Sequence, residues 1–259
     1  MIPRLPAGWI VLLLALGYRV ACGSVDETDV NALFDAGNQA YKEKNYQEAA
    51  EKFRSILETG IRNGQVEFNL GNAYFRLGQL GRSILHYERA HRLLPRHRDI
   101  VQNLKVARKQ CEDQMEEEKR NAVVAFFSEL SMRYTANEWA TFASILLLAV
   151  GALITARTFC HGVSTRRRLR HLAVVAAIIL VWSGSNAAVQ VHRAAQREAI
   201  IVKPEVQVYA EPNPGHAQHL FLLHEGSKVR IQRSGGDWTL VQYAAGLRGW
   251  CEAAALVEI

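Results

Sequence analysis

Two sets of residues recur 34 positions apart: Phe34, Asn38, Tyr41 and Lys42, then Phe68, Asn72, Phe75 and Arg76. Offsets of four, seven and eight from the first member place each set on one face of a helix. Each face combines aromatic rings, one amide and one cation. An amide hydrogen-bonds an extended peptide backbone, and a cation holds a carboxylate. This is chemistry for gripping a protein segment, not for breaking bonds. Near the C-terminal end, Trp238 and Tyr243 are candidates for a ligand face of the kind small β domains offer to peptides, whereas Trp250 is expected in a core. His216, His219 and His224 are close in sequence, but a turn followed by a strand does not bring three rings onto one ion. They are expected as solvated side chains, and no metal site is assigned.

No catalytic constellation accompanies these sets. The sequence has no GxSxG, no HExxH, no P-loop and no Gly-rich dinucleotide turn. Neither enzymatic activity nor a cofactor is expected. The four cysteines, Cys22, Cys111, Cys160 and Cys251, have neither CxxC nor zinc spacing, and no disulfide is expected. The net charge of +6 does not mark a nucleic-acid surface. Five Arg crowd into residues 157–171, and no basic stripe is interleaved with aromatics.

The elements that position these residues follow from periodicity. AGNQAYKEKNYQEAAEKFRSIL (36–57) and LGNAYFRLGQLGRSILHYERAH (70–91) align at a constant offset of 34 residues, with Gly37 on Gly71, Asn38 on Asn72 and Phe53 on Tyr87. That offset is the tetratricopeptide period, in which helix A of each pair lines a concave surface. Small residues let helix A approach helix B, and aromatics fill the space between. Leu104 keeps the register and Lys105 replaces the glycine, so residues 99–109 read as a partial third repeat with a polar outer face. The repeat domain is expected over residues 24–110.

Residues 139–156 and 172–191 contain no Asp, Glu, Lys or Arg. Helices of this length reach roughly 27 and 30 Å, close to a bilayer core of about 30 Å. Mean hydropathy is only −0.07 because very polar segments dilute these runs. Two membrane-spanning helices are expected, joined by a basic loop over 157–171. The positive-inside rule puts that loop in the cytoplasm. Residues 1–23 resemble a secretory signal, with Arg4, an apolar stretch and small residues at 21–23; cleavage, retention and lipidation at Cys22 all stay open. Export of the N-terminal part and the basic loop agree: residues 24–138 and 199–259 are expected outside, on the face of the membrane opposite the loop. The linker 111–138 is charged, then apolar (AVVAFFSEL), and its second half suits a helix in the membrane interface. Residues 199–259 alternate short β-rich runs with Gly/Pro turns, as in a small, partly closed barrel. LLHEGSKVRI, GDWTLVQY and GLRGWCEAAAL resemble the bacterial SH3 domain.

This succession of signal, repeats, membrane hairpin and SH3-like segment resembles the BatE family of the Bacteroides aerotolerance operons, most closely over residues 68–104. The resemblance covers nearly the whole chain. It implies a non-enzymatic envelope component that associates with membrane proteins bearing von Willebrand A domains and with a MoxR-type ATPase. The chain lacks a DxSxS motif, so any metal-adhesion site belongs to a partner. Taken together, these readings predict an inner-membrane scaffold that binds envelope proteins through its exported repeat groove. The alternative is a cell-wall sensor or anchor that binds peptidoglycan peptides through residues 199–259.

Overall fold

A computed structural model describes residues 27–113, 121–212, 218–243 and 246–259. The signal segment expected at 1–23, His216 and the charged part of the linker lie outside the described residues. The chain divides into two compact units, residues 1–62 and 63–259.

The described part of the first unit is a helix pair, α1 (Glu27–Lys42) and α2 (Tyr46–Glu58). Gly37 on α1 lies so close to α2 that a Cβ there would sit 2.7 Å from the Phe53 ring. That close approach lets Ala40, Ala49, Ala50, Phe53 and Ile56 share a buried seam.

The second unit begins with the same arrangement. In α3 (Gly64–Arg76) and α4 (Leu80–Leu93), Gly71 stands against Tyr87, again with 2.7 Å for a hypothetical Cβ. The aligned Gly37/Phe53 and Gly71/Tyr87 pairs are thus one contact used twice, which is why the sequence repeats there. Asn63 caps α3, its side-chain oxygen accepting from the Gln65 and Val66 amides. A further helix, α5 (Arg98–Lys109), lays Ile100, Leu104 and Ala107 against α4. This helix covers the residues expected as a partial third repeat.

Next come α6 (Ala122–Arg133), α7 (Ala136–Phe159) and α8 (Val163–Ala194). Both α7 and α8 are long and apolar enough to cross a membrane, and their side chains face outward: Leu148 is 75% and Val181 69% exposed. They form an antiparallel pair clasped by Trp139, whose ring meets Trp182 edge-on at 4.9 Å. Thr135 and Glu138 form a capping box that starts α7.

The expected loop 157–171 is corrected here. Only residues 160–162 leave the helical state, and Arg166, Arg167, Arg168 and Arg170 lie on α8. Residues 163–171 contain neither Gly nor Pro, and Arg and Leu are strong helix formers, so nothing stops the helix from extending past the apolar run.

Among the described residues, seven strands follow: β1 (Glu198–Ile201), β2 (Glu205–Tyr209), β3 (His219–His224), β4 (Lys228–Gly235), β5 (Trp238–Tyr243), β6 (Leu247–Glu252) and β7 (Leu256–Glu258). They form one antiparallel sheet in the order β3-β2-β6-β5-β4-β1-β7. Alternate residues of six strands, among them Ala199, Val208, Leu223, Val229, Val241 and Cys251, meet in a single core. The sheet therefore curls around its own apolar face. A register shift between Ile231 and Arg233 adds to the bend of β4.

Candidate partner-binding surfaces

The structure separates the residues that the repeat pattern grouped. In the first unit, Phe34 packs edge-on against Phe53 at 5.9 Å and Tyr41 against Tyr46 at 5.2 Å, while Asn38 is half-buried and Lys42 exposed. In the second unit, Phe68 is only 8% exposed and is enclosed by Tyr87 and His97. Phe75 is half-buried against the core of α4 and α5. Expecting these aromatics to form an open face is therefore wrong for Phe34 and Phe68. Both fill the helix A–helix B space, where burial of a ring contributes more than exposure would.

The polar members behave differently. Asn72 Oδ1 accepts from Tyr87 Oη at 2.7 Å and from Asn103 Nδ2 at 2.9 Å. The Asn72 amide is thereby fixed in orientation across α3, α4 and α5. Arg76 is exposed one turn further along α3. Asn103 escaped the sequence reading because the 34-residue register assigns Val106, not Asn103, to Asn72. Asn103 lies one turn earlier on the same face of α5, and helical spacing from Val106 is the signal that finds it.

Elsewhere between α3 and α4 lies a buried ionisable pair. His86 Nδ1 and Glu67 Oε2 are 2.6 Å apart, and Tyr74 stacks on the His86 ring at 5.4 Å. Burial pulls the His86 pKa down, outweighing the upward pull of Glu67.

The face of α4 turned away from α3 meets the β module. Ile200 of β1 joins the apolar cluster of Ile84, Tyr87 and Ile100. Around it runs an alternating chain of charges. Arg108 binds Glu88; Lys228 reaches Glu88 at 3.4 Å and Glu198 at 2.8 Å; Arg92 closes on Glu198 at 2.8 Å. Burial alone would raise the Glu88 carboxyl, but Arg108 and Lys228 together hold it below the usual carboxylate range. Arg89 and Arg92 also donate to the carbonyls of Glu258 and Ile259 at 2.5 and 2.9 Å.

At the other end of this seam, Asp113 accepts from the His224 amide at 2.7 Å, the His224 ring at 2.8 Å and Ser227 Oγ at 2.5 Å. Hydrogen bonding to Asp113 raises the His224 pKa. Glu225 accepts from the Gly81 amide at 2.7 Å. The residue preceding α4, Gln79, makes no side-chain cap, so Glu225 caps the helix from 144 residues away. Gly81 and Gly226 make the approach tight enough. A Cβ on Gly81 would lie 2.5 Å from the Ile201 carbonyl oxygen, and Gly226 has φ +91°.

On the β module, Trp238 and Tyr243 do not share a face. They are five residues apart on β5 and point to opposite sides of the sheet. Tyr243 packs on the interior cluster and its hydroxyl donates to the Asp113 carbonyl at 3.4 Å. Trp238 turns outward, edge-on to Tyr209 at 5.9 Å. The expected core position of Trp250 is corrected too. It is half-buried on the outer face, opposite Leu240 on β5 and Tyr209 on β2. His219 and His224 occupy opposite ends of β3, beside Tyr209 and Asp113 respectively. Burial pushes the thiols of Cys111 and Cys251 up to about 11 and about 12. Both are free, as is Cys160.

Residues 65–97 match the family model described as tetratricopeptide repeat. The chain carries a tetratricopeptide repeat. No curated protein matches the sequence. Among solved structures, the chain is similar to the first tetratricopeptide domain of Spaghetti (RPAP3) bound to an HSP90 peptide, SRMEEVD. That likeness has 19% identity and a TM-score of 0.22, and covers 33% of this chain and 94% of that one. The matched tetratricopeptide segment takes in α3 and α4 and stops just short of α5. Repeats of this kind point to protein–protein interaction, here in a chain with two helices able to cross a membrane.

Proposed function

We propose that this protein is a non-enzymatic, membrane-anchored scaffold that captures an extended segment of a partner on the α3–α5 surface of its tetratricopeptide repeat. One observation carries the reading: Asn72 and Asn103 hold one another at 2.9 Å across two helices, a preset pair of amides on a matched repeat. Arg76 lies one turn further along α3, and its cation suits a carboxylate on the partner. Asn38 and Lys42 offer the same chemistry in the first unit. The resemblance to the BatE family supports a bacterial inner-membrane setting, with both soluble parts extracytoplasmic and von Willebrand A domain proteins as partners. The tight seam between repeat and β module supports their lying on one side of the bilayer, because both contribute to a single chain of charges around the buried Glu88.

The experiment is photo-crosslinking from α3 of the full-length protein in native membranes, with Arg76→Glu and Lys42→Glu variants alongside. Charge reversal at position 76 is expected to abolish the crosslinked partner while the protein stays folded, as judged by its far-UV circular dichroism. An identical set of partners from the wild type and both variants refutes the assignment.

The outward row of Tyr209, Leu240 and Trp250 supports a second reading, in which an SH3-like β module contacts peptidoglycan peptides. Retention of the full-length protein on purified cell wall, lost on Trp250→Ala, distinguishes it from the first.

A further inference from the structure

The strand register of the β module says where its longest hairpin points. α8 ends at Ala194 and β1 starts at Glu198. Three residues, at most about 10 Å of extended chain, therefore tie the module to the second apolar helix. β1 pairs antiparallel with β4, Glu198 opposite Arg230. The pairing begins at Arg197, whose carbonyl accepts from the Ile231 amide at 2.8 Å. As β1 leaves the apolar helix, β4 comes back toward it. β4 continues past Ile231 to Gly235, and the chain turns through Gly236 and Asp237 into Trp238 of β5. The register shift between Ile231 and Arg233 takes up one residue of β4, so three ladder steps, from Val241 to Trp238 at about 3.3 Å each, carry this tip roughly 10 Å beyond the last pairing with β1. From Arg197 back to Val191, where the charge-free run ends, one helical turn and two extended residues span about the same distance.

If α8 crosses a bilayer, β1 does not head back into it, because that would draw exposed charged residues of the module, such as Arg230, Arg248 and Glu252, among acyl chains. β1 leaves away from the surface or across it, and the β4–β5 tip then points toward the surface or along it. A second brace acts near the open end of the α7–α8 pair. Arg96, just before α5, reaches Glu138 at 2.5 Å and the Arg133 carbonyl at 3.1 Å, and lies over the Tyr134 ring at 4.9 Å. The seam and this brace keep the module close to the end of the apolar pair.

What the tip carries suits lipid headgroups. Arg233 is exposed beside the half-buried Trp238 ring, with Tyr209 edge-on behind it, and His192 and Arg193 are exposed at the end of α8. Trp and Tyr favour the headgroup level, and Arg offers a forked donor to phosphate. We infer that the β4–β5 hairpin tip, residues 232–238, rests on the phosphate headgroups of the bilayer that α7 and α8 span, with Arg233 as the phosphate ligand. The hairpin is then a third support beside the two spans, and it fixes which face of the β module is turned to the aqueous side. This inference rests on the membrane-spanning reading of α7 and α8.

The test uses the full-length protein in nanodiscs of phosphatidylcholine and phosphatidylglycerol, with Cys22→Ser and Cys160→Ser in all samples. A fluorophore is placed at Ser234→Cys on the tip, at Leu148→Cys in α7, or at Leu247→Cys at the far end of β6. Nitroxide lipids labelled at the headgroup or in the acyl chain serve as quenchers. Headgroup nitroxide is expected to quench position 234, acyl-chain nitroxide position 148, and neither position 247. Arg233→Glu is expected to remove the quenching at 234 and leave that at 148 intact. Quenching at 148 with position 234 as unquenched as 247 overturns the inference alone. No acyl-chain quenching at 148 overturns the membrane-spanning reading, and the inference falls with it.

Discussion

Replacing Glu88 with Ala tests whether the charge chain holds the β module to the repeat. Glu88 is 4% exposed and is the shared partner of Arg108 and Lys228. Breaking a buried pair by removing one side costs about 3–5 kcal/mol, because the remaining charge is left uncompensated. Two features lower that figure here. The Arg108 side chain is 47% exposed, so water takes over part of its solvation, and Lys228 keeps Glu198 at 2.8 Å. A loss of about 2–3 kcal/mol in seam stability follows, which corresponds to roughly 30- to 150-fold more frequent opening. Amide hydrogen exchange reads this directly. The Gly81 and His224 amides donate across the seam, to Glu225 and Asp113, so their exchange reports its opening. The Val241 amide lies on β5, inside the separate core of the β module. Exchange at Gly81 and His224 is expected to accelerate by that factor while Val241 keeps its protection. Equal acceleration at all three sites would mean global unfolding, and no acceleration at Gly81 and His224 would mean that the remaining seam contacts hold it without the charge chain through Glu88. Either result refutes the reasoning.

Two further outcomes are expected. Gly81→Ala would put a methyl group 2.5 Å from the Ile201 carbonyl oxygen. It should therefore destabilise the seam by about 1–3 kcal/mol, the usual overpacking cost, although Ala is the better helix former; exchange at the His224 amide checks it. The seam should also depend on pH from both sides. His224 is raised above its ordinary 6.5 by hydrogen bonding to Asp113, so its contribution is full below 6.5 and fades as pH rises through the folded value. Asp113 and Glu88 are held below their ordinary 3.8 and 4.5, by hydrogen bonds from Ser227 and His224 and by Arg108 and Lys228 respectively, against the upward push of burial. Their contributions are present above those values and vanish as pH falls through the folded ones. Exchange at Gly81 and His224, corrected for its intrinsic pH dependence, should be slowest between about pH 5 and 6.5.

The repeat and the two apolar helices were legible in the sequence because each rests on local periodicity. Gly37 and Gly71 announce the same helix-to-helix approach, and the charge-free runs announce themselves by length alone. Several site residues were less legible. A helical wheel places Phe34 and Phe68 on a recurring face, but does not say whether that face meets helix B or solvent. Packing against Phe53 and Tyr87 resolves this toward the interior. Trp238 and Tyr243 look alike in sequence, and only the alternation of β5 against a core on one side sends them apart. The basic segment 157–171 reads as a loop from its charge, yet the residue types of 163–171 allow helix, and α8 runs through them.

The sequence by itself determined the kinds of part in this chain: a 34-residue helical repeat, two helices able to cross a membrane and a β-rich end. Tertiary structure alone decided how the last repeat and the β module become one body. Glu225 caps α4 from 144 residues away, Asp113 ties three groups of the β module, and Glu88 is buried between cations on different elements. No local pattern encodes such contacts. A charged residue is spaced along its own helix in the same way whether it faces water or a partner surface, and only the fold brings that surface within hydrogen-bonding distance.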